Sequence, residues 1–384
     1  MFVVAAAAVA ILVLPTSAAV TKAASPKARA DAKLGHALSR LVTMRGGPPG
    51  IVSVVKRGAH RKVFKRGVAD RASSRRISLG DRWRIASVAK AFSGAVALRL
   101  VALGRLSLDD TIAERLPNLP TAWGSVTLAQ ALQHTSGLPD YAASPGFARQ
   151  GTKHPRAPVA PSTLIGYVAD KPLDFAPGAR YHYSDTDNIV VALFIEEATQ
   201  LSYERELDAL VIDPLRLRRT SMPTGYRMPA PYVRGYANNA RGRRPDVSEM
   251  LNPTLAWASG GIVSSPLDLS RFIRAYTGGD LFGGATRAAQ LHFRRGESVP
   301  RGPGVNGSGL GLYRYRTRCG TVYGHTGNVP GYTTFIAASR SGRRSVTLQV
   351  STQLTPDAGV PRTWRALRRA FGLGVCAALA HAKG

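Results

Sequence analysis

The sequence predicts an α/β (α+β) fold in which an antiparallel sheet, flanked by helices, is assembled from both chain ends around an inserted, mostly helical region. Three patterns carry that expectation. Apolar and polar residues alternate early, over residues 51–56 and 61–66, around a turn at Gly58, as in a β-hairpin. Helical patterns broken by Pro and Gly loops then fill residues 106–245, most clearly over 188–199. Strand patterns return at 322–326, 333–338 and 345–351, before a closing helix over 364–371.

The elements follow in chain order. Residues 1–24 read as a secretory signal, since an apolar run from Phe2 to Leu14 precedes Pro15 and small residues suited to cleavage between Ala19 and Ala24. No Lys or Arg precedes the run, which departs from the signal pattern. The run is short of the roughly 20 apolar residues a span needs, so cleavage and an extracytoplasmic, secreted location are expected, with no stable membrane span. Residues 25–45 form a basic lead-in, read as mobile over 25–33, and an amphipathic helix over 34–44 that Gly46, Gly47, Pro48 and Pro49 end. The first α/β part covers 46–115 and includes a helix over 87–103, stopped by Gly104. The mostly helical part covers 116–245, and the second α/β part 246–384. Residues 141–162 are read as a loop without a recognisable signal. No internal repeat occurs.

Composition narrows the function classes. With 384 residues and 44% hydrophobic content the chain can bury a sizeable core, so disorder is not the default. A net charge of +29 first suggests nucleic acid, an anionic polymer or a membrane surface. Lys and Arg are nevertheless spread along the chain, with short clusters such as Arg241, Arg243, Arg244 and Arg368, Arg369, and do not gather around aromatic residues in a stripe, so nucleic acid is not expected as a partner. A dispersed positive surface suits an enzyme near anionic wall polymers, and a host-wide arginine bias gives the same composition. Two cysteines, Cys319 and Cys376, fit one disulfide in an oxidising compartment, or two buried thiols. No His or Cys pair stands at ligand spacing, so neither metal nor other cofactor is expected.

The chemistry begins at Ser87 and Lys90, three residues apart at the start of an apolar helix and so on one face. A serine hydroxyl needs a base to become a nucleophile, and a lysine one turn away can hold negative charge and move protons. Alone, the pair also fits a helix cap followed by a solvated lysine. Tyr183, after the turn at Pro177 and Gly178, adds a phenol able to exchange protons if a neighbouring cation lowers its pKa. His325, Thr326, Gly327 and Asn328 lie on a late strand whose glycines allow close approach of a substrate backbone. No Gly-x-Ser-x-Gly pentapeptide occurs, which argues against an α/β-hydrolase.

In this order the segments resemble the serine β-lactamases and penicillin-binding proteins, which carry Ser-x-x-Lys, then Tyr-x-Asn, then Lys or His before Thr-Gly. The likeness runs from about Gly50 to the C-terminus and includes His134-Thr135-Ser136-Gly137-Leu138, Phe175-Ala176-Pro177-Gly178, Ser259-Gly260-Gly261 and Gly309-Leu310-Gly311-Leu312. These mark the branch of class C β-lactamases, secreted D-alanyl-D-alanine carboxypeptidases, esterases and D-aminopeptidases. The His-Thr-Gly box and the two cysteine positions are most similar to the carboxypeptidases. The resemblance implies acylation of Ser87, proton transfer by Lys90 and Tyr183, support of Tyr183 by His325, and an oxyanion hole from the backbone N–H groups of Ser87 and Asn328. It also implies contact of Thr326 with a substrate carboxylate. Trp257 is expected in the cleft or in the core. Expected partners are a peptidoglycan stem peptide or another small acyl substrate, with β-lactams as covalent ligands, acting on a monomer; a catalytically idle wall-peptide binder is the competing reading.

Three departures stand out. Asp185 replaces the usual Asn, so it can only accept, and it would hold Lys90 more tightly. Asn328 stands where such carboxypeptidases often have Thr. After Gly309-Leu310-Gly311-Leu312, where the carboxypeptidases place an arginine for the substrate carboxylate, this chain has Tyr313 and then Arg314, which is the candidate for that contact although it comes one residue late on an alternating strand.

Overall fold

The computed structural model describes residues 2–3, 24–238, 243–356 and 360–381, so the expected signal segment and Arg241 lie almost entirely outside the described residues. Among the described residues ten strands form two sheets: β1 (Gly50–Arg57), β2 (His60–Gly67), β3 (Trp83–Arg84), β4 (Val263–Ser264), β5 (Arg294–Arg295), β6 (Val305–Ser308), β7 (Tyr313–Thr317), β8 (Gly320–Val329), β9 (Tyr332–Ala338) and β10 (Arg344–Val350). The large sheet runs β2-β1-β10-β9-β8-β7-β6-β5, with every neighbour antiparallel. β1 pairs with β10 across most of the chain length, Ile51 opposite Val350, so the sheet does close from both chain ends. β3 and β4 form a separate two-stranded ladder.

Apolar residues on the two faces of the sheet explain the layers. On one face the helices Pro26–Thr43 and Pro361–Leu379 bury Leu34, Leu38, Leu367 and Phe371 against Val346, Leu348 and Phe335. On the other, the helix Pro266–Gly278 packs on β9 and β10 and continues into the helical region, where Phe92 stacks on Phe272 at 3.7 Å. The helices Ala89–Ala102 and Asp185–Thr199 are buried nearly all round, as core helices are. Asn188 ties them together by donating to Ser93 Oγ at 2.6 Å.

The lead-in is a correction: residues 26–33 are not a mobile tail but the first turns of the helix Pro26–Thr43. Ser25 caps that helix by accepting from Ala28 N, and Pro26 supplies a preset first-turn φ. The reading of 141–162 as a plain loop also changes, because Ser144 caps a helix over Pro145–Lys153 by accepting from Phe147 N. Cys319 and Cys376 are bonded, which joins the turn between β7 and β8 to the last helix. Closing that 57-residue separation is worth about 4 kcal/mol in the chain-entropy account. Among the described residues no helix is long and apolar enough to cross a membrane.

Candidate active site

The site is built where β3 runs into the core. Arg84, the last residue of β3, is buried and anchored by donating to the carbonyls of Ser248 and Tyr226 at 2.9 and 2.8 Å. The chain then turns at Ala86, whose φ of 51° is a conformation that a non-glycine residue adopts only when its surroundings hold it there. One 3-10 turn, Ala86–Val88, presents Ser87, and the helix Ala89–Ala102 starts directly behind it.

Lys90 is 1% exposed, and its Nζ donates to Ser87 Oγ at 3.3 Å, to the Ser259 carbonyl at 2.8 Å and to Asp185 Oδ1. Three acceptors leave the ammonium fully used and fixed in direction. Asp185 therefore does hold Lys90, and its carboxylate opens the helix Asp185–Thr199, where negative charge is favoured by the helix dipole. The Tyr183 ring lies under the same ammonium, 5.0 Å from Nζ to ring centre, a cation–π contact.

The Tyr183 hydroxyl is buried and makes no hydrogen bond of good geometry. Burial first, and then the charge of Asp185, push its pKa well above 10, while the Ser87 hydroxyl pulls it part of the way back. The expected lowering by a neighbouring cation is thus corrected: the carboxylate that neutralises Lys90 also works against a phenolate. Tyr183 keeps its proton and can only donate it.

The opposite wall is β8. Its pairing with β7 stops at Gly324, whereas its pairing with β9 continues to Val329, so residues 325–329 have one free edge. That edge abuts the Ser87 turn. A Cβ on Gly327 would lie 2.4 Å from Ile85 O and 2.9 Å from both Ser87 N and Val88 N, so only glycine permits this approach. The two expected oxyanion donors, on Ser87 and Asn328, therefore belong to backbones in contact. His325 is buried with Nδ1 on the Thr326 carbonyl, so Nδ1 carries the proton and Nε2 is an acceptor. Burial, followed by the charge of Lys90, lowers its pKa to about 3, which keeps the ring neutral.

Four groups that sequence reasoning gave no role complete the pocket. Asp140 accepts from the backbone N–H of Ala142 and of Asp185, at 3.0 and 3.1 Å, and so fixes the start of the Asp185 helix. Burial and the neighbouring Asp185 raise its pKa to about 7. His134 stands 4.5 Å from the Tyr183 ring and shares one proton with Asp187, Nδ1 to Oδ2 at 2.7 Å. Burial lowers the pKa of His134 to about 3 and raises that of Asp187, while the Ser136 hydroxyl, which donates to Asp187, works the other way. Ser259 lends its carbonyl to Lys90. Of these, His134 and Ser259 fall in segments that carried the family likeness, whereas Asp140 and Asp187 had no signal beyond proximity to them.

Three expected substrate contacts are placed elsewhere. Thr326 is fully buried and its hydroxyl donates to the Pro300 carbonyl, which leaves no proton free for a carboxylate. Arg314 lies over the Phe293 ring at 4.8 Å, and it is Tyr313 that reaches the site, its ring 5.0 Å from His325. Trp257 belongs to the core: its indole N–H donates to Glu204 at 2.7 Å and its ring packs on Tyr203. Among the described residues no cluster of His, Cys, Asp and Glu is arranged to hold a metal ion.

Comparison with known proteins gives this arrangement a family. The Beta-lactamase family model matches residues 31–370. Penicillin-binding protein 4* of Bacillus subtilis (strain 168) is 25% identical over 285 residues, covering 70% of this chain and 60% of that protein. Esterase EstB of Burkholderia gladioli is 34% identical over 215 residues, 51% of each chain. The chain thus spans half to three-fifths of the length of these relatives. Among solved structures, a D-stereospecific amidohydrolase from Streptomyces sp. superposes with a TM-score of 0.76 at 29% identity, covering 88% of this chain and 98% of that one. D-amino acid amidase from Ochrobactrum anthropi SV3 shares the fold, with a TM-score of 0.77 at 22% identity over 90% and 98% of the two chains. This chain belongs to the β-lactamase family, the serine hydrolases that include the penicillin-binding proteins.

Proposed function

We propose that the chain hydrolyses short D-amino-acid peptides of cell-wall type through an acyl-enzyme on Ser87, as a D-alanyl-D-alanine carboxypeptidase does. The observation that carries this reading is the continuous path Ser87 Oγ, Lys90 Nζ, Asp185 Oδ1, set directly against the backbone edge at Gly327. In the attack, Lys90 passes one proton to the Asp185 carboxylate and takes the Ser87 proton, so that charge moves along the path without crossing the pocket. The carbonyl oxygen that becomes an oxyanion is held by the Ser87 and Asn328 N–H groups, each donor typically worth roughly 3 to 4 kcal/mol in such sites. Tyr183, protonated in the resting site, gives its proton to the departing amine, and the proton that Asp185 received returns through Lys90 to restore the phenol. Neutral His325 presents Nε2 as an acceptor and adds no positive charge to the site. Water then takes the reverse path and releases the acid. Release of the product at an extracytoplasmic location, as the signal-like leader suggests, places the wall peptide within reach.

A second reading, esterase or D-aminopeptidase activity, is favoured by a specific observation, the engagement of Thr326 and Arg314 away from the cleft. Wild type and Ser87→Ala compared on a D-alanyl-D-alanine peptide, a D-amino acid amide, nitrocefin and a short-chain aryl ester decide between them. The peptide should be the best substrate, and Ser87→Ala should lose all measurable turnover. Preference for the ester or amide by tenfold or more in kcat/KM replaces the first reading with the second. Binding of wall peptides without turnover of any member replaces both with the idle binder.

A further inference from the structure

A groove that shares no residue with the Ser87 site runs along the last helix, Pro361–Leu379, where it passes the end of β7. It encloses about 530 Å3 between three walls: the helix, Thr317 and Arg318 at the turn from β7 to β8, and Pro303 with Gly304 ahead of β6. The walls are fixed to one another. The disulfide between Cys319 and Cys376 ties the turn to the helix. A Cβ on Gly304 would lie 2.0 Å from Arg316 O, so only glycine lets the third wall rest on β7.

The charge in this groove is one-sided. Arg318, Arg365, Arg368 and Arg369 line it; among the described residues none of the four is in a salt bridge, and neither an acid nor an aromatic side chain is among the lining residues. By contrast, Arg57, Arg75, Arg115, Arg234 and Arg301 are each paired with a carboxylate. Arg368 is half-buried and held in place, donating to the carbonyls of Gly302 and Gly304 at 3.1 and 3.4 Å. Burial, and then the charge of Arg301, lower its pKa, while Glu297, itself paired with Arg301, works the other way. Cations are crowded here at a cost that an anion offsets. Residues 365, 368, 369 and 372 share one helix face, and the last of them is Gly372, where a Cβ would meet nothing within 4 Å. The arginine row therefore ends over an open floor.

We infer that this groove binds an unbranched, base-free polymer of repeated phosphates, through Arg318, Arg365, Arg368 and Arg369, independently of the Ser87 site. Guanidiniums match phosphate because its oxygens accept paired N–H donors. Four of them along an open groove engage successive phosphates of one chain. Nucleic acid fits less well, since the groove offers its bases no aromatic surface to stack on. The groove is thus a tether that holds the hydrolase on an anionic polymer while the Ser87 site stays free.

Fluorescence anisotropy with labelled polyphosphate, poly(glycerol phosphate) and single-stranded DNA of matched charge tests this on the full chain. Wild type should bind at least one of the two base-free polymers more tightly than DNA, and Arg365→Glu/Arg369→Glu should weaken that binding by about tenfold or more. Gly372→Leu fills the floor without changing charge and puts a better helix former in place of glycine, so affinity should fall by about threefold or more while the melting temperature does not fall. Arg61→Glu/Lys62→Glu on β2, an equal charge change four strands away from β7, should alter affinity by less than about twofold. Tighter binding of poly(glycerol phosphate) assigns the groove to a wall-type phosphodiester, and tighter binding of polyphosphate to a free phosphate chain. The inference is overturned if wild type binds neither polymer, if DNA binds best, if the β2 variant loses as much as the groove variant, or if folded Gly372→Leu protein binds as wild type does.

Discussion

The two sides of the Ser87 hydroxyl are built on opposite electrostatic plans. On the helical side, Lys90, Asp185 and Asp140 form a small charged cluster joined by direct hydrogen bonds. On the other side, His325 of β8 and, from the helical region, His134, Asp187 and Tyr183 are just as buried, and the histidines are neutral because burial lowers their pKa values to about 3. A buried charge survives only when paired and hydrogen-bonded, and the helical side meets that condition with three acceptors on one ammonium. The difference separates the work: proton movement belongs to the charged side, and shape, hydrogen-bond direction and substrate approach belong to the neutral side.

Removing the charged side gives the largest expected effect. Lys90→Met deletes the ammonium and leaves Asp185 facing Ser87 without a cation, so kcat/KM should fall by about a thousandfold or more, as loss of a proton-transferring residue does. A loss below tenfold in steady-state kinetics would show that the helical side is not the proton path. Gly327→Ala acts on the neutral side. Its Cβ would push β8 off the Ser87 turn, and a displacement of about 1 Å between reacting groups costs on the order of a hundredfold in rate. Activity within a factor of three of wild type would mean that the contact of the two backbones does not set the geometry.

The smallest effect is on stability, and its sign differs between the sides. The Asp140 pKa is raised from an ordinary value near 3.8 to about 7, so the unfolded chain loses this proton first as pH rises. The group therefore favours the fold below about pH 4 and costs stability as pH climbs through 7. The histidines behave in reverse: their contribution is complete above about pH 6.5 and is lost as pH falls toward 3. Asp140→Asn keeps the oxygen that accepts from Ala142 and Asp185 but does not titrate. Its melting temperature relative to wild type should rise by a few degrees between pH 5 and pH 8. A constant difference across that range would show that Asp140 titrates normally.

How much of this was legible in the sequence follows the same division. Ser87 and Lys90 share a helix face, so their meeting is a local property of the 3.6-residue repeat, and Asp185 on Lys90 follows from a single substitution in a recognisable segment. The hairpin, the closing strands and the buried helices were readable from periodicity for the same reason. Asp140 and Asp187 were not, because their roles arise from contacts across 45 and 53 residues that no spacing rule encodes. Thr326 was misjudged because a distant loop carbonyl at Pro300 takes its hydroxyl, and Arg314 because Phe293, from a neighbouring segment, gives its guanidinium a better resting place. The start of the first helix at Pro26 and the helix over Pro145–Lys153 are different cases: Ser25 and Ser144, each followed by proline, are local capping signals that composition alone obscured.

The claim beneath all of this is that the Ser87 oxygen becomes the acyl acceptor. Intact-protein mass spectrometry after incubation with a fluorescent penicillin, followed by peptide mapping, measures it directly. One drug equivalent on the peptide that contains Ser87, and none on Ser87→Ala protein, is the predicted result. Equal labelling of Ser87→Ala, or a label mapped to another residue, would contradict it.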